Sequence, residues 1–358
     1  MIRWRSLDEV TPGFGPSVVS IGNFDGVHRG HQHVFARLLE TSRRLEARSV
    51  VVTFDPHPAL VHRPESHPGL IMGLEDKLDA LEATGVDAVL VLPYSLEFSE
   101  LSPEEFVVDY LVKPLGAVCL VIGSDVRLGR DNTGDLPVIR ELGREHGFKV
   151  EVVDDVAGLV PEDTDALNGL VGWSDDRRCS STWVRSCLEA GDIRGAAKLL
   201  GRHHRMRGEV VHGAARGREL GFPTANLAPE ATGFIPADGV YAGWLVDQDG
   251  TRWPTAISVG SNPTFDGVNR QVEAHVIDRP DEAVEDFDLY GQTVVVEFVE
   301  RLRGMVAYRG IDALVSQMRD DVNRSRDILR EQARGTDRAH PVGLITSPRA
   351  RRGRTPNR

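Results

Sequence analysis

Cysteine and long apolar runs are scarce in this chain of 358 residues, and each shortage excludes a class of protein. The three cysteines are odd in number and widely spaced, which fits neither a disulfide framework nor a zinc site. The longest apolar runs, such as residues 117–122, fall far short of the ~20 residues that a membrane span needs. The first residues also lack the apolar stretch of a signal peptide. We therefore expect a cytoplasmic protein with reduced thiols and no membrane partner.

Acidic residues outnumber basic ones, with 54 Asp and Glu against 42 Lys and Arg and a formal net charge of −12. This balance argues against general nucleic-acid binding. Residues 334–358 differ, because seven arginines and one aspartate give them a net charge of +6 and leave −18 for residues 1–333. Since this segment is rich in Pro, Gly, Ser and Thr and has no regular period, we expect a basic, disordered tail over 333–358. A solvated tail without a partner is favoured over one that contacts RNA or a membrane.

The N-terminal half alternates apolar, strand-like runs with helical patterns. A helix is expected over about residues 30–46, between the first two strands. Continuous apolar strands separated by helices are typical of a parallel sheet covered on both faces, so we predict a doubly wound α/β domain. Its ligands should bind outside the carboxyl ends of the strands, first of all in the loop after Ile21. The predicted strands are Ser17–Ile21, Ser49–Phe54, Asp87–Leu92, Ala117–Ile122 and Phe148–Val153.

The pattern changes after Arg207 to short strands with turn residues between them and no intervening helices. Such spacing is typical of an antiparallel barrel or sandwich. A helical stretch over residues 181–200 precedes this region, and a long amphipathic helix with Ile311 and Leu329 on its apolar face closes it. We predict an α/β domain over 1–187 and a β domain over 188–332. The predicted strands are Gly208–His212, Gly239–Val246, Trp253–Val259, Arg270–Asp278 and Thr293–Val299.

A glycine-rich segment from Gly22 to His31 lies between the first strand and the first helix. Its glycines let the backbone approach a ligand closely, and the helix N-terminus supplies free N–H groups and a positive dipole end. His28 and His31 add two further hydrogen-bond donors. Together these groups suit a phosphorus centre that gains negative charge during transfer. The less favoured alternative is an ordinary turn whose histidines cap the helix.

The same segment resembles the phosphate-binding signature of the nucleotidylyltransferase superfamily, which has a His-x-Gly-His arrangement. The resemblance implies ATP as a substrate and His28 and His31 as stabilisers of the reacting α-phosphate. It also implies nucleotide or phosphate contacts in the preceding loop, from Gly22, Phe24, Asp25 and Gly26.

A second element, Ser180-Ser181-Thr182-Trp183-Val184-Arg185, is similar to the Ser-Ser-Thr-x-x-Arg element of the same enzymes. It implies phosphate contacts from Ser181, Thr182 and Arg185. Taken alone, these hydroxyls would more often be an ordinary helix cap.

Two further stretches are similar to the flavin-adenylating branch of that superfamily, residues 53–58 and residues 123–129. Asp125 agrees with the branch and is a nucleotide-binding candidate. Val126 and Leu128 stand where the branch usually has phenylalanine, which means either neutral repacking or a looser nucleotide or flavin pocket. His57, between two prolines, is interpreted as structural, with site contact as the alternative.

In the C-terminal half, residues 217–226 read Gly-Arg-Glu-Leu-Gly-Phe-Pro-Thr-Ala-Asn. The Thr224 hydroxyl and the Asn226 carbonyl are hard oxygen ligands suited to Mg²⁺. No Walker-type Gly-Lys-Ser/Thr sequence occurs in the chain, which excludes the common ATP-binding loop. On this pattern alone, a tight surface turn explains the run equally well.

The run Gly-Phe-Pro-Thr-Ala-Asn resembles the signature of riboflavin kinases, and residues 262–265, 272–275 and 289–291 agree with further elements of that family. The resemblance implies that Glu273 deprotonates the ribityl 5′-hydroxyl of riboflavin and that Thr224 and Asn226 bind the metal of Mg-ATP. The implied ATP contacts in the loop are Gly217, Arg218 and Gly221. Period-two alternation is compatible, because it places Glu273 opposite the apolar face of its strand.

Both resemblances occur in the order found in bacterial bifunctional riboflavin kinase/FAD synthetases and cover about residues 17–329. That family implies a Rossmann-like nucleotidylyltransferase domain, followed by the small Greek-key barrel of riboflavin kinase. It also implies phosphorylation of riboflavin to FMN and adenylylation of FMN to FAD, with release of pyrophosphate. Two alternatives stay open: a riboflavin kinase with an impaired adenylyltransferase domain, and a flavin-binding regulator without turnover. Glu273 argues against the regulator, since mere binding needs no base.

Overall fold

The N-terminal strands form a six-stranded parallel sheet in the order β1-β4-β3-β2-β5-β6. The structure is a computed structural model that describes residues 1–154, 177–213, 220–264, 267–278 and 289–336. The predicted doubly wound α/β domain is confirmed. Only β1 at the sheet edge was not predicted, because three residues are too few to display a period. The strands are β1 (Ile2–Trp4), β2 (Ser17–Ile21), β3 (Arg48–Asp55), β4 (Ala88–Pro93), β5 (Ala117–Gly123) and β6 (Lys149–Val153).

Helices cover both faces of this sheet, because the central strands are apolar on both sides. In β3, Val51 packs in the same cluster as Phe35 and Leu78, whereas Val50 and Val52 pack on the opposite face. A π-helical turn, Val108–Val112, separates two of the helices. The helices of this domain are α1 (Arg29–Arg44), α2 (Pro58–His62), α3 (Leu74–Glu82), α4 (Leu96–Ser99), α5 (Pro103–Val107), α6 (Lys113–Leu115) and α7 (Leu136–His146).

The strand order reverses at β2, which pairs with β3 on one side and with β5 on the other. In open α/β sheets a ligand crevice forms outside the carboxyl ends of the strands at such a switch point. The loops after Ile21 and Gly123 both start at this edge. The topology therefore places the glycine-rich segment Gly22 to His31 and the loop after Gly123 at the edge where such a crevice forms.

The C-terminal half is a closed antiparallel barrel in the order β10-β11-β8-β7-β12-β9, which confirms the predicted all-β class. The short strand β8 was missed, because the signature run reads as a loop. Strand β10 continues through Gly260 and Pro263, both turn-forming residue types, because it keeps pairing with β11 as far as Thr264 opposite Gly267. The strands are β7 (His204–Val211), β8 (Ala225–Leu227), β9 (Gly239–Val246), β10 (Arg252–Thr264), β11 (Gly267–Val276) and β12 (Thr293–Arg303).

Two helices, α8 (Ser181–Ala190) and α9 (Ile193–Leu200), connect the sheet to the barrel. Their buried side chains, including Trp183 and Leu199, belong to the same hydrophobic cluster as the barrel interior. Helix α10 (Ile311–Thr336) packs on the barrel through Leu329 and runs four residues beyond the predicted domain end at residue 332. The rest of the predicted tail lies outside the described residues. No helix of the described residues is long and apolar enough to cross a membrane.

Candidate active sites

The loop between β2 and α1 places His28 and His31 side by side. His28 is the N-cap of α1, and its Nδ1 accepts a long hydrogen bond of 3.4 Å from the backbone N–H of His31. The two rings are stacked, with their centroids 3.6 Å apart. Because Nδ1 of His28 is an acceptor, the proton of its neutral ring lies on Nε2 and remains available for donation.

Burial keeps both imidazoles uncharged. Together with the positive charge of Arg202 and of two further arginines, it lowers the pKa of His28 to about 3. Burial also lowers the pKa of His31 well below 6.5, and His28, Lys77 and Arg202 act in the same direction. Nδ1 of His31 is buried and has no hydrogen-bond partner in the described part of the chain. At neutral pH the pair therefore offers neutral N–H donors in positively charged surroundings.

Asp25 organises the loop that carries the histidines. Its buried carboxylate accepts hydrogen bonds from the backbone N–H of Ile71, at 3.1 and 3.2 Å, and from the guanidinium of Arg185. Burial raises the pKa of Asp25, and the charge of Arg185 opposes that shift. Gly22 leaves room for the loop, since a Cβ there would lie 2.9 Å from the ring of Phe24.

The Ser-Ser-Thr element contacts the histidine loop directly. Ser181 Oγ donates to the carbonyl of Asp25 at 2.8 Å, and Arg185 Nε donates to the carbonyl of Gly69 at 2.8 Å. The hydroxyl that caps α8 is that of Ser180, which accepts from the N–H of Trp183. Thr182 is exposed in the first helical turn. The structure thus brings together two motifs that are far apart in the sequence.

Asp125 follows β5 at the neighbouring strand end, and its carboxylate accepts a hydrogen bond of 2.8 Å from Arg178. In the same loop, Val126 and Leu128 pack on the hydrophobic core of the sheet. Leu128 also exchanges two backbone hydrogen bonds with Gly134, at 3.0 and 2.9 Å. The loop is therefore well packed around the two residues that replace phenylalanine, which favours the repacking alternative.

His57 caps a helix, as its structural interpretation predicts. It is the N-cap of α2, and its Nδ1 accepts from the N–H of Ala59 at 3.1 Å. Its ring lies edge-on to that of His67, with centroids 5.2 Å apart. Burial lowers the pKa of His57 to about 4.

In the barrel, Thr224, Asn226 and Glu273 form one cluster. Asn226 in β8 is the cross-strand partner of Glu273 in β11. Asn226 Nδ2 lies 3.3 Å from the carbonyl oxygen and 3.4 Å from Oγ1 of Thr224. Burial raises the pKa of Glu273, while a hydrogen bond with Thr224 opposes the shift. His275 and Pro223 fix the approach to the cluster through a contact of 2.8 Å between His275 Nδ1 and the Pro223 carbonyl.

The donor set of this cluster fits a magnesium ion. The hydroxyl of Thr224 and the amide carbonyl of Asn226 are hard oxygen ligands of the kind that Mg²⁺ prefers. Gly213 allows the arrangement, because a Cβ there would lie 2.4 Å from Asn226 Nδ2. Gly221 lies at the start of the signature run with φ +84°, whereas Gly217 and Arg218 lie outside the described residues.

Lys77 is a buried cation near the histidines that the sequence analysis missed. Lys77 lies in α3, and its buried Nζ is 3.5 Å from Oγ1 of Thr53. Burial lowers the pKa of Lys77, and the charges of Asp25 and Asp55 oppose the shift. A signal was present, since Lys77 occupies a position of the apolar stripe of α3 with Leu74, Leu78 and Leu81.

Comparison with known proteins gives similarities over both domains. The family model for FAD synthetase matches residues 13–160, and that for riboflavin kinase matches residues 200–329. A protein of Pseudomonas fluorescens named bifunctional riboflavin kinase/FMN adenylyltransferase is 36% identical over 330 residues, which cover 92% of this chain and 98% of the relative. The protein of the same name from Escherichia coli K12 is 32% identical over 312 residues, which cover 87% of this chain and 92% of the relative.

The architecture also matches a solved structure. The crystal structure titled macrolide-efflux protein from Streptococcus pneumoniae has a TM-score of 0.75 and 31% identity. The matched region covers 91% of this chain and 98% of the chain in that crystal structure. The similarity therefore extends through both the sheet and the barrel.

Proposed function

Because this chain belongs to the bifunctional riboflavin kinase/FMN adenylyltransferase family, we propose that its two sites use the residues described above for consecutive steps of FAD biosynthesis. The barrel transfers the γ-phosphoryl group of ATP to the 5′-hydroxyl of riboflavin and yields FMN and ADP. The α/β domain then transfers AMP from a second ATP to the phosphate of FMN and yields FAD and pyrophosphate. The cluster of Thr224, Asn226 and Glu273 carries the proposal, because a protein that only binds flavin needs no half-buried carboxylate beside a metal-type donor set.

In the kinase step, Glu273 is the general base. Its carboxylate accepts the proton of the 5′-hydroxyl while that oxygen forms its bond to the γ-phosphorus and the bond to the β-phosphate oxygen breaks. Burial of Glu273 raises its pKa and so makes it a stronger base than an exposed glutamate. Thr224 Oγ1 and Asn226 Oδ1 would hold Mg²⁺, which when bound neutralises the charge of the ATP phosphates.

In the adenylyl step, His28 and His31 donate hydrogen bonds to the α-phosphate of ATP. Negative charge grows on that phosphate as an FMN phosphate oxygen attacks and pyrophosphate leaves, so donors fixed in advance stabilise the transition state. The N-terminus of α1 contributes free N–H groups and its dipole at the same place. Asp25 holds Arg185 and Ser181 against this loop, so the second motif is positioned for the remaining phosphates. No covalent bond to the protein is needed, because positioning and charge stabilisation suffice.

The cytoplasm is the proposed compartment of the reaction. Cys119, Cys179 and Cys187 are all free and buried, which suits a reducing compartment. The proposed partners are riboflavin, FMN and ATP. Nucleic acid is not among them, since residues 1–333 carry a net charge of −18.

A chromatographic time course of riboflavin, FMN and FAD tests the proposal, with purified protein, ATP and Mg²⁺. One reaction starts from riboflavin and a parallel one starts from FMN. We expect FMN followed by FAD in the first and FAD directly in the second. FMN that is never converted would favour a kinase with an impaired second domain. Flavin binding without any product would favour a regulator.

A further inference from the structure

Arg202, two residues beyond the end of α9, reaches back to the loop that carries His28. Its Nη2 donates to the carbonyl of Gly26 at 2.6 Å. Its Nη1 donates to the carbonyls of Val27 and Leu200, at 3.1 and 3.2 Å. One guanidinium therefore joins the histidine loop to the C-terminus of α9.

Gln32 makes the same connection from the first turn of α1. Its Nε2 donates to the carbonyls of Val27 and Leu200, both at 2.8 Å. Each of these two carbonyls thus accepts hydrogen bonds from both side chains. Three of these five hydrogen bonds join the α9 side to the histidine loop or α1: Arg202 to Gly26, Arg202 to Val27 and Gln32 to Leu200.

The loop needs such support because its backbone is unusual. Phe24, Gly26 and Val27 have φ values of +48°, +82° and +41°. A positive φ is unfavourable for a non-glycine residue and most of all for a β-branched one, so it persists only where the surroundings impose it. Val27, which is 1% exposed, directly precedes His28. Its conformation therefore sets the direction in which His28 enters α1.

The barrel side anchors Arg202. Leu199 and Leu200 of α9 are buried in the same cluster as Tyr241 and Phe298 of the barrel, and β7 begins two residues after Arg202. The side chain that holds the histidine loop is therefore attached to the C-terminal domain.

We propose that Arg202 is a positioning residue for adenylyl transfer, through which the barrel-side helix α9 completes the N-terminal active site. The inference rests on the proposed role of His28 in that reaction. Arg202 contacts no reacting atom and acts through the carbonyls of Gly26 and Val27. In this arrangement the adenylyl site of the N-terminal domain depends on a side chain of the C-terminal domain.

The charge of Arg202 supports this role. It acts together with burial to lower the pKa of His28 and of His31. Arg202 itself is buried enough for its pKa to fall to about 10, so it remains protonated at neutral pH. A fixed positive charge beside the histidines adds to the larger effect of burial and helps to keep them neutral donors.

The test uses the full chain with Arg202→Met and Arg202→Lys, and with Arg252→Met as a matched control on the outer side of the barrel. Arg252 pairs with Glu297 and stacks on Trp244. We expect R202M to lower the kcat of FMN adenylylation at least tenfold, with riboflavin phosphorylation within twofold of wild type. The kcat of FMN adenylylation in R202K should lie between those of R202M and wild type, because lysine keeps the charge but lacks the guanidinium fork that hydrogen-bonds several carbonyls. R252M should leave both reactions unchanged.

A second readout separates positioning from general stability. An NMR titration of the histidines should show a higher pKa of His28 in R202M and an unchanged one in R202K. Normal adenylylation in R202M would overturn the proposal. If R202M does not fold, normal adenylylation in R202K would do the same. An equal loss of adenylylation and phosphorylation in R202K would also overturn it. His28→Ala runs in parallel. If H28A also leaves FAD formation intact, the proposed site itself is wrong; if only H28A loses activity, the positioning role alone fails.

Discussion

Asn226 and Glu273 lie opposite each other on β8 and β11 of the barrel, although they are far apart in the sequence. Thr224 bridges them, since it lies within hydrogen-bond distance of Asn226 and hydrogen-bonds with Glu273. The two proposed metal ligands and a half-buried carboxylate therefore lie next to one another.

Replacement of Glu273 by Gln should remove the base and leave the fold intact. General-base catalysis contributes about 10²- to 10⁴-fold, so we expect a loss of that order in the kcat of riboflavin phosphorylation. FMN adenylylation by the same protein should be unchanged. Glu209→Gln, at an exposed position of β7, is the matched control. Near-normal phosphorylation in E273Q would reject the assigned base.

The pH dependence of the kinase should reflect the partial burial of Glu273. The residue acts when deprotonated, and burial raises its pKa above the ordinary value of 4.5. Activity should therefore be lost as the pH falls, with the acid limb at a higher pH than an exposed glutamate would give. The measurement is kcat/KM for riboflavin against pH at an Mg-ATP concentration far below its KM, so that the profile reports groups of the unliganded enzyme. A limb at or below pH 4.5 contradicts this assignment.

Replacement of Gly213 by Ala should displace Asn226, because the new Cβ would lie 2.4 Å from its Nδ2. We expect a several-fold increase in the KM for Mg-ATP in the kinase reaction and normal FMN adenylylation. Gly304→Ala is the control, since a Cβ there would meet only Arg301 Nη2, at 3.8 Å. Equal kinetics of the two variants would mean that the Asn226 position does not matter.

Removal of the His28 side chain should lower FAD formation without affecting FMN formation. Loss of one donor to a developing charge costs about 10²-fold in rate, and we expect a loss of that order for H28A. His33→Ala, at an exposed position of the same helix, should be silent. The readout is the initial rate of FAD formation from FMN, and a rate equal to that of H33A would remove His28 from the site.

His204 should make the stability of the barrel pH-dependent. It is 2% exposed, contacts the Phe234 carbonyl at 2.7 Å, and has a pKa lowered by burial to about 4. The unfolded chain, with a His pKa near 6.5, binds the proton more readily, so stability falls as the pH drops from 6.5 towards 4. The loss is about 1.4 kcal/mol per pH unit in this window. Urea unfolding at several pH values should show a shallower dependence for His204→Gln, and identical slopes would contradict the shift.

Local patterns in the sequence were sufficient to predict the structural class of each domain and to locate the motifs. The continuous apolar strands predicted the parallel sheet, because a strand buried on both faces cannot alternate. The residues of both signatures could be named because each motif is contiguous. The short strand β8 and the edge strand β1 could not be found, since three residues carry no measurable period and form only by pairing with neighbours.

The amino-acid sequence was therefore enough to identify the family, the order of the two domains and the contiguous motifs that carry the candidate sites. How the adenylyl motifs meet depends on the folded chain, through contacts between residues more than a hundred positions apart. Asp25 holds Arg185, and Arg202 holds the loop before His28. Arg202 belongs to none of the motifs, so no pattern in the sequence marks it as a site residue. Its role depends on which carbonyls and carboxylates the folded chain brings within hydrogen-bond distance, and that is a property of the packing.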